Sequence, residues 1–178
     1  MLITPDYLKQ QQQLHVERDD YGVASVSFAS IVTRIIDQTH SRTVLDYGAG
    51  KGRLAQAITP KLAVEVTMYD PAIPELADPA EGQFDLVCCI DVLEHIEPEC
   101  LENVLDALQG HTGFYTFLSV HTGPAKKTLP DGRNAHLIQE RPEWWLRKFL
   151  DRWDAMTYQR TGNGFYFVGM SRGDHNLQ

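Results

Sequence analysis

The sequence predicts an α/β fold in which a doubly wound, mostly parallel sheet carries a C-terminal antiparallel hairpin. Three observations favour this class. Short apolar segments alternate with helical segments, the first apolar segment runs directly into a glycine-rich turn, and the last two are joined by T-G-N-G. Alternating strands and helices form parallel sheets covered on both faces, and Asn-Gly turns join antiparallel strands. Ligands of such sheets bind at the carboxyl ends of the strands.

The first half of the chain supplies two predicted helices and three predicted strands. Apolar residues recur at helical spacing over 26–38, and Ser25 or Ser27 is the expected N-cap. A short helix around Leu54 ends before Pro60, because the residue before a proline avoids helical geometry. Apolar runs predict the strands, and the third is apolar almost throughout, as suits a strand covered on both faces. These strands span 43–47, 63–70 and 84–90.

The second half adds two predicted helices and three predicted strands. The first helix begins at Pro98, a favourable first helical position, and Gly110 ends it. Its expected buried stripe is Leu101, Val104, Leu105 and Leu108. The second helix begins at Pro142. It is expected to place Leu146, Phe149, Leu150 and Trp153 on one face. The predicted strands are 114–120, 155–160 and 165–170, and the last two form the hairpin.

Composition and charge exclude several classes of protein. We expect one domain over residues 1–178. A composition of 43% hydrophobic and 22% charged residues excludes a largely disordered chain. No apolar run approaches the length of a membrane span, and the N-terminus shows no secretory signal. The net charge of -8 argues against a nonspecific nucleic-acid binder. The three cysteines are expected to be reduced core residues of a cytoplasmic protein.

The motif D-Y-G-A-G-K-G, from Asp46 to Gly52, directly follows the first predicted strand. Its glycines let the backbone turn tightly and approach a ligand. A dinucleotide fingerprint would need Gly or Ala at position 53, where Arg53 stands, so a nicotinamide enzyme is the least favoured interpretation. Together with F-D-L-V-C-C-I-D-V-L-E-H-I (84–96), the motif resembles the class I S-adenosylmethionine (SAM)-dependent methyltransferases of the small-molecule type. The resemblance covers about residues 40–171 and implies a Rossmann-like fold that binds SAM.

The resemblance also implies where the cofactor binds. Asp70 ends the second strand, twenty residues after Gly50, where a carboxylate accepts hydrogen bonds from ribose hydroxyls. An N-terminal segment, residues 1–24, is similar to a helix and lid that relatives fold over the cofactor, with Arg18 and Tyr21 as contacts. The predicted cofactor-binding residues are Tyr21, Asp46, Gly48, Ala49, Gly50, Asp70, Pro71, Ala72, Ile90, Asp91 and Val92.

One departure from the family pattern concerns its third strand. Only thirteen residues separate Asp70 from Phe84, and a complete crossover takes at least about 10–12 residues before its strands are counted. We therefore predict that the third strand is absent or reduced to a turn. The acidic residue that relatives place after it to face the adenine amine would be replaced, at best, by Asp78.

Three histidines are the predicted catalytic bases. His95 follows the strand that ends at residue 90, His121 follows the strand that ends at residue 120, and His136 lies in the next segment. A hydroxyl acceptor has a high pKa and reacts faster beside a base or a metal.

A metal site is the alternative to a base. Asp91, Glu94, His95 and His136 resemble the divalent-metal site of the ubiquinone-biosynthesis and small-RNA 3′-end O-methyltransferases. Asp91 has a shorter arm than the first Glu of those enzymes, and D-V-L-E-H also occurs in metal-free relatives. On sequence, a site without a metal is therefore favoured.

The segment 121–141 is the predicted substrate loop. Lys126, Lys127 and Arg133 are expected to bind a phosphate or carboxylate. The charge distribution agrees, since residues 121–160 hold 8 basic and 5 acidic residues, whereas residues 1–120 hold 7 and 18. The preferred interpretation is O-methylation of a small, anionic acceptor. No membrane partner is expected. The alternatives are a nucleic-acid 2′-hydroxyl or base methyltransferase that works with a partner, and a non-catalytic activator subunit with the same fold.

Overall fold

The computed structural model describes residues 1–17 and 24–172. Its helices are α1 (Pro5–Glu17), α2 (Ala29–Thr39), α3 (Arg53–Ala57), α4 (Leu101–His111) and α5 (Pro142–Leu150). Its strands are β1 (Thr43–Tyr47), β2 (Glu65–Tyr69), β3 (Phe84–Ile90), β4 (Thr112–His121), β5 (Trp153–Arg160) and β6 (Gly164–Ser171). No helix in these two ranges is long and apolar enough to cross a membrane.

The six strands form one sheet in the order β2-β1-β3-β4-β6-β5. Strands β1 to β4 pair in parallel, and β6 pairs antiparallel with both β4 and β5. The predicted Rossmann-like, mostly parallel sheet with a C-terminal hairpin is therefore confirmed. The strand order reverses at β1, which lies between β2 and β3, so ligands are expected at the carboxyl ends of these strands.

The sheet is covered on both faces. Alternate residues of its strands enter two different apolar clusters, because successive side chains of a strand point to opposite faces. Cys88 packs with the residues of α2 and α3, whereas its neighbour Cys89 packs with those of α4 and α5. All three cysteines are buried free thiols, as predicted.

The third strand of the family pattern is absent. Residues 70–83, every one of which the structure describes, hold a single 3₁₀ turn at Pro74–Leu76 and no strand. The N–H of Asp70 donates to the carbonyl oxygen of Leu76 at 3.0 Å, so the chain doubles back on the end of β2. The prediction from the thirteen-residue span is confirmed, and β2 is an edge strand as a result.

Two local expectations about helices are wrong. Neither Ser25 nor Ser27 caps α2, because a 3₁₀ turn at Ala24–Phe28 precedes the helix and the Ser27 hydroxyl donates to the carbonyl of Ala24 instead. Trp153 does not lie on the helix that begins at Pro142, since α5 ends at Leu150 and Trp153 opens β5. In α4, by contrast, the four predicted leucine and valine side chains are buried.

Candidate active site

A cavity of about 540 Å³ lies at the carboxyl ends of β1 to β4. The glycine turn after β1 and the segment after β4 both contribute to its lining. The predicted residues in its lining are Asp46, Gly48, Gly50, Asp70, Pro71, Ala72, Ile90, Asp91, Val92, His95, His121, Lys126, Lys127 and His136. The predicted cofactor, catalytic and lysine sites thus share one space.

The glycine turn closely approaches Val92, in the segment that follows β3. Gly48 has a φ of 77°, and a Cβ placed on it would lie 2.5 Å from Cγ2 of Val92. Its N–H donates to the carbonyl oxygen of Tyr69 at 2.8 Å, and the N–H of Ala49 donates to the same oxygen at 3.0 Å. Only glycine fits position 48, because the φ is left-handed and the space for a side chain is already occupied.

Asp70 binds the glycine turn to the end of β2. One carboxylate oxygen accepts from the N–H of Gly50 and the other from the N–H of Ala72, both at 2.9 Å. The side chain is 7% exposed and lines the cavity. Each carboxylate oxygen has a second lone pair, so the same group is able to accept from a ligand while it holds the turn.

Asp46 is a buried carboxyl that lacks a complete set of partners. It is 2% exposed, and its Oδ2 has no hydrogen-bond partner among the described residues. Burial, together with the negative charge of Asp70, raises the pKa of Asp46 to about 7. A buried carboxylate is costly without a donor or cation, so this oxygen suits a positively charged group of a ligand.

Three imidazole rings lie close together in the lining of the cavity. The ring centroid of His136 lies 4.7 Å from that of His95 and 4.8 Å from that of His121. Nδ1 of His95 lies 2.7 Å from the carbonyl oxygen of Ala135, and Nδ1 of His136 lies 2.6 Å from that of Gly123. Carbonyl oxygens only accept, so both rings donate from Nδ1 and carry their lone pair on Nε2.

His95 and His136 are neutral near pH 7. Burial, reinforced by His136, lowers the pKa of His95 to about 4, and burial also lowers the pKa of His136. For His121, the N–H of Gly123 donates to its Nδ1 at 3.2 Å. Neutral imidazoles with a fixed tautomer are able to accept a proton or to bind a cation.

Glu94 connects the loops that carry the histidines. It is fully buried, its Oε1 accepts from the N–H of His121 at 2.9 Å, and its main-chain oxygen accepts from the N–H of Ile138 at 3.0 Å. Its Oε2 has no hydrogen-bond partner within residues 1–17 and 24–172. Burial and the nearby Asp91 raise the pKa of Glu94 well above its ordinary value. Ligand atoms of Glu94, His95 and His136 all lie within 4.8 Å of one another.

Asp91 stands apart from that group. Its φ is 52°, a left-handed backbone conformation, and its carboxylate accepts from the hydroxyl of Ser119 at 2.6 Å. Its own N–H donates to the same Ser119 oxygen at 3.0 Å. The Asp91 side chain is therefore held toward β4. The four-residue constellation suggested by the sequence is reduced to three.

Several predicted residues lie outside the cavity lining. Ala49 is a buried residue of the turn itself. The Arg133 guanidinium pairs with Asp131 at 2.7 Å and lies 5.9 Å from the ring centroid of Tyr7. Asp78, the suggested adenine contact, is exposed. Arg18 and Tyr21 are outside the described residues, so their predicted contacts stay predictions.

Helix α1 supplies lining residues that the sequence did not indicate. Gln11 and His15 face the cavity from this helix. The hydroxyl of Tyr7 donates to the carbonyl of His95 at 2.6 Å, and the Thr4 hydroxyl and N–H donate to the two oxygens of Glu97. The only sequence signal was the seven-residue spacing of Tyr7 and Leu14, both of which are buried. Residues 1–17 therefore contribute to the lining of the cavity, and the lid role of residues 1–24 stays a prediction.

Comparison with known proteins identifies the family. A family profile described as a methyltransferase domain matches residues 23–161. No curated protein sequence matches the chain.

Solved structures share the fold. The 1,6-didemethyltoxoflavin-N1-methyltransferase of Burkholderia thailandensis, with 1,6-didemethyltoxoflavin and S-adenosylhomocysteine (SAH), is 19% identical with a TM-score of 0.66, over 96% of this chain and 92% of that one. A DhpI–SAH complex is 18% identical with a TM-score of 0.64, over 94% and 95%. Magnesium protoporphyrin IX methyltransferase of Synechocystis PCC 6803 with SAH is 17% identical with a TM-score of 0.60, over 84% of each chain.

Proposed function

The chain belongs to the methyltransferase-domain family, and we propose that it transfers the methyl group of SAM to an oxygen of a small, anionic acceptor. SAM supplies a methyl group activated by its attachment to a positively charged sulfur. The observation that carries the proposal is the shared cavity, which is lined by two carboxyl groups, a glycine turn, three histidines and two lysines. Structural neighbours bound to SAM or SAH support the cofactor, and the named porphyrin and toxoflavin enzymes support a small acceptor.

The residues of the glycine turn and the two nearby carboxyl groups fit SAM. The orphaned Oδ2 of Asp46 suits the ammonium of the methionine portion, and Asp70 retains lone pairs for the ribose hydroxyls. The absence of a Cβ at Gly48 keeps the backbone close to Val92 and leaves the cavity open beside it. These residues would bind and orient the cofactor, which lowers the barrier mainly by alignment and by exclusion of water.

SAM affinity should depend on pH through Asp46. The pKa of about 7 means that this carboxyl is half protonated near neutrality in the free protein. An ammonium ligand prefers the carboxylate, so binding should tighten as pH rises to about 8 and weaken by up to about tenfold per unit as pH falls below 7. Calorimetric titration of SAM from pH 5.5 to 8.5 measures this slope. In Asp46→Asn the slope should be lost, and a wild-type affinity that does not vary with pH would contradict the assignment.

The methyl acceptor would bind beside the histidines. His95 and His136 are neutral at working pH and direct Nε2, not Nδ1, away from the carbonyls that hold them. A hydroxyl group placed there would meet groups able to lower the barrier for losing its proton. Lys126 and Lys127 line the same cavity, so the negative charge of an acceptor would be met by ammonium groups.

The lysines should determine the preference for an anionic acceptor. With SAM saturating, hydroxybenzoates and the matching hydroxybenzamides form a panel that differs in charge alone. We expect the double variant Lys126→Met, Lys127→Met to raise KM for the anionic members about tenfold or more and to leave the neutral members unchanged. Lys61→Met removes a positive charge from an exposed loop and serves as the control. An equal rise in KM for both classes, or none, would argue against an anionic acceptor.

A further inference from the structure

We propose that Asn163, in the turn between β5 and β6, is a specificity-determining residue that donates a hydrogen bond to the anionic group of the methyl acceptor. The inference rests on the proposed function and deepens it, because it assigns a residue to the recognition of that group. The first observation is the position of the residue. Of residues 153–171, all of which the structure describes, Asn163 alone lines the cavity. It shares that lining with His121, Lys126 and Lys127.

The turn is fixed to the end of β4 by the backbone. The main-chain oxygen of Asn163 accepts from the N–H of Thr122 at 3.1 Å, and Gly164 pairs with His121 where β6 meets β4. A Cβ on Gly164 would lie 1.9 Å from the carbonyl oxygen of Val120, so only glycine allows this close approach. The place of Asn163 is therefore set without its side chain, and Thr122 joins it to the segment that carries both lysines.

Turn chemistry does not account for an asparagine at this position. Asparagine is favoured in tight hairpin turns because it tolerates a left-handed φ. Among the non-glycine residues that the structure describes, only His40 and Asp91 have a positive φ, so Asn163 does not use that tolerance. The reason for an amide here therefore lies in what the side chain contacts.

The amide of Asn163 is available to a ligand. It makes no hydrogen bond within residues 1–17 and 24–172, and the residue is exposed. Asn134, in the loop after β4, differs: its amide nitrogen donates to the carbonyl of Ala125 and its amide oxygen accepts from the N–H of Ala125, both at 2.9 Å. Asn134 thus holds its own loop, whereas Asn163 keeps two N–H donors and one carbonyl for a bound molecule.

An amide suits the anion that the lysines attract. The ammonium groups of Lys126 and Lys127 supply charge with little directional preference, whereas a planar amide donates along fixed directions. An ionised carboxylate or phosphate only accepts hydrogen bonds, so it would meet Nδ2 of Asn163. An aspartate at position 163 would offer acceptor oxygens and a negative charge instead, and would oppose the same group.

The test compares Asn163→Ala and Asn163→Asp with wild type on the panel of hydroxybenzoates and hydroxybenzamides. Binding to the full chain saturated with SAH is measured by calorimetry, and turnover is measured with SAM. We expect Asn163→Ala to raise Kd and KM for the hydroxybenzoates about fivefold or more. The values for the hydroxybenzamides should change less than about twofold, since hydrogen bonds between neutral groups are weaker.

Asn163→Asp should raise Kd and KM for the hydroxybenzoates about twentyfold or more, because a negative charge replaces the donors. The kcat at saturating acceptor should stay within about twofold of wild type in both variants, as expected when recognition is lost and the reacting groups are not displaced. Gln159→Glu is the matched control, since it adds the same charge at an exposed position of the same hairpin outside the cavity lining. It should change none of these values, and SAM affinity should be unchanged in all three variants.

The outcomes separate this inference from the function on which it rests. If wild type prefers the anionic compounds and neither variant of Asn163 alters that preference, the assignment of Asn163 is wrong and the proposed function survives. The same conclusion follows if Gln159→Glu raises Kd as much as Asn163→Asp does. If wild type binds both classes equally or binds neither, the anionic acceptor is wrong and the inference fails with it. If wild type does not bind SAM, the proposed function itself fails.

Discussion

Gly48→Ala is expected to abolish measurable SAM binding. It is also expected to lower the free energy of unfolding more than any other substitution that adds a single methyl group to the site. The φ of 77° makes an alanine there costly by about 1–2 kcal/mol, and the new Cβ would lie 2.5 Å from Cγ2 of Val92. Displacing Val92 adds about 1–3 kcal/mol of overpacking. Both residues line the cavity, so the distortion reaches the cofactor directly.

Gly82→Ala is the matched control. Gly82 has a φ of 79°, nearly the same as Gly48, but a Cβ there would meet nothing within 4 Å. It should therefore show the backbone cost alone and bind SAM normally. Denaturant unfolding gives the two free energies, and calorimetry gives the two affinities. If the two variants were equally stable and bound SAM equally well, the close packing of the glycine turn on Val92 would not matter for binding.

Asp70→Ala should weaken SAM and SAH by the same factor. The carboxylate is expected to accept from ribose hydroxyls, which the two ligands share, and charge-assisted hydrogen bonds contribute about 1.5–3 kcal/mol, or roughly 10–150-fold in affinity. Loss of its bonds to the N–H groups of Gly50 and Ala72 would loosen the turn and add to the effect.

Asp78→Ala provides the comparison for Asp70, since it removes an exposed carboxylate from the same connection. We expect no change in either affinity. A variant of Asp70 that binds both ligands as wild type does would show that this carboxylate does not contact the cofactor. A selective loss of SAM alone would point to recognition of the sulfonium and not of the ribose.

The sheet could be predicted from sequence because each of its strands is marked by a local run of apolar residues. The apolar run at 84–90 needs cover on both faces, and a span of thirteen residues after Asp70 is too short for a helix, strand and helix whatever its composition. Strand-end motifs could be predicted for the same reason. Once β1 and β2 are parallel neighbours, Asp46, the glycine turn and Asp70 must lie at one edge.

The parts that could not be predicted depend on contacts between distant segments. The orientation of His95 is fixed by the carbonyl of Ala135, forty positions away, and that of His136 by Gly123, on a loop without periodic pattern. Asp91 adopts a left-handed backbone conformation and turns to Ser119 on β4, which removes it from the group that its sequence spacing suggested. Helix α1 is anchored through Tyr7 and Glu97, contacts that its mostly polar sequence does not indicate.

SAM binding, on which the proposed function depends, is tested most directly by calorimetric titration of the full chain with SAM, SAH and NAD in parallel. We expect SAM and SAH to bind to one site with comparable affinities of about micromolar Kd, because both carry the ammonium and ribose groups that Asp46 and Asp70 would meet. NAD should bind far more weakly, since Arg53 occupies the position where a dinucleotide-binding turn needs a small residue. No detectable binding of SAM, or tight binding of NAD, would contradict the proposed function.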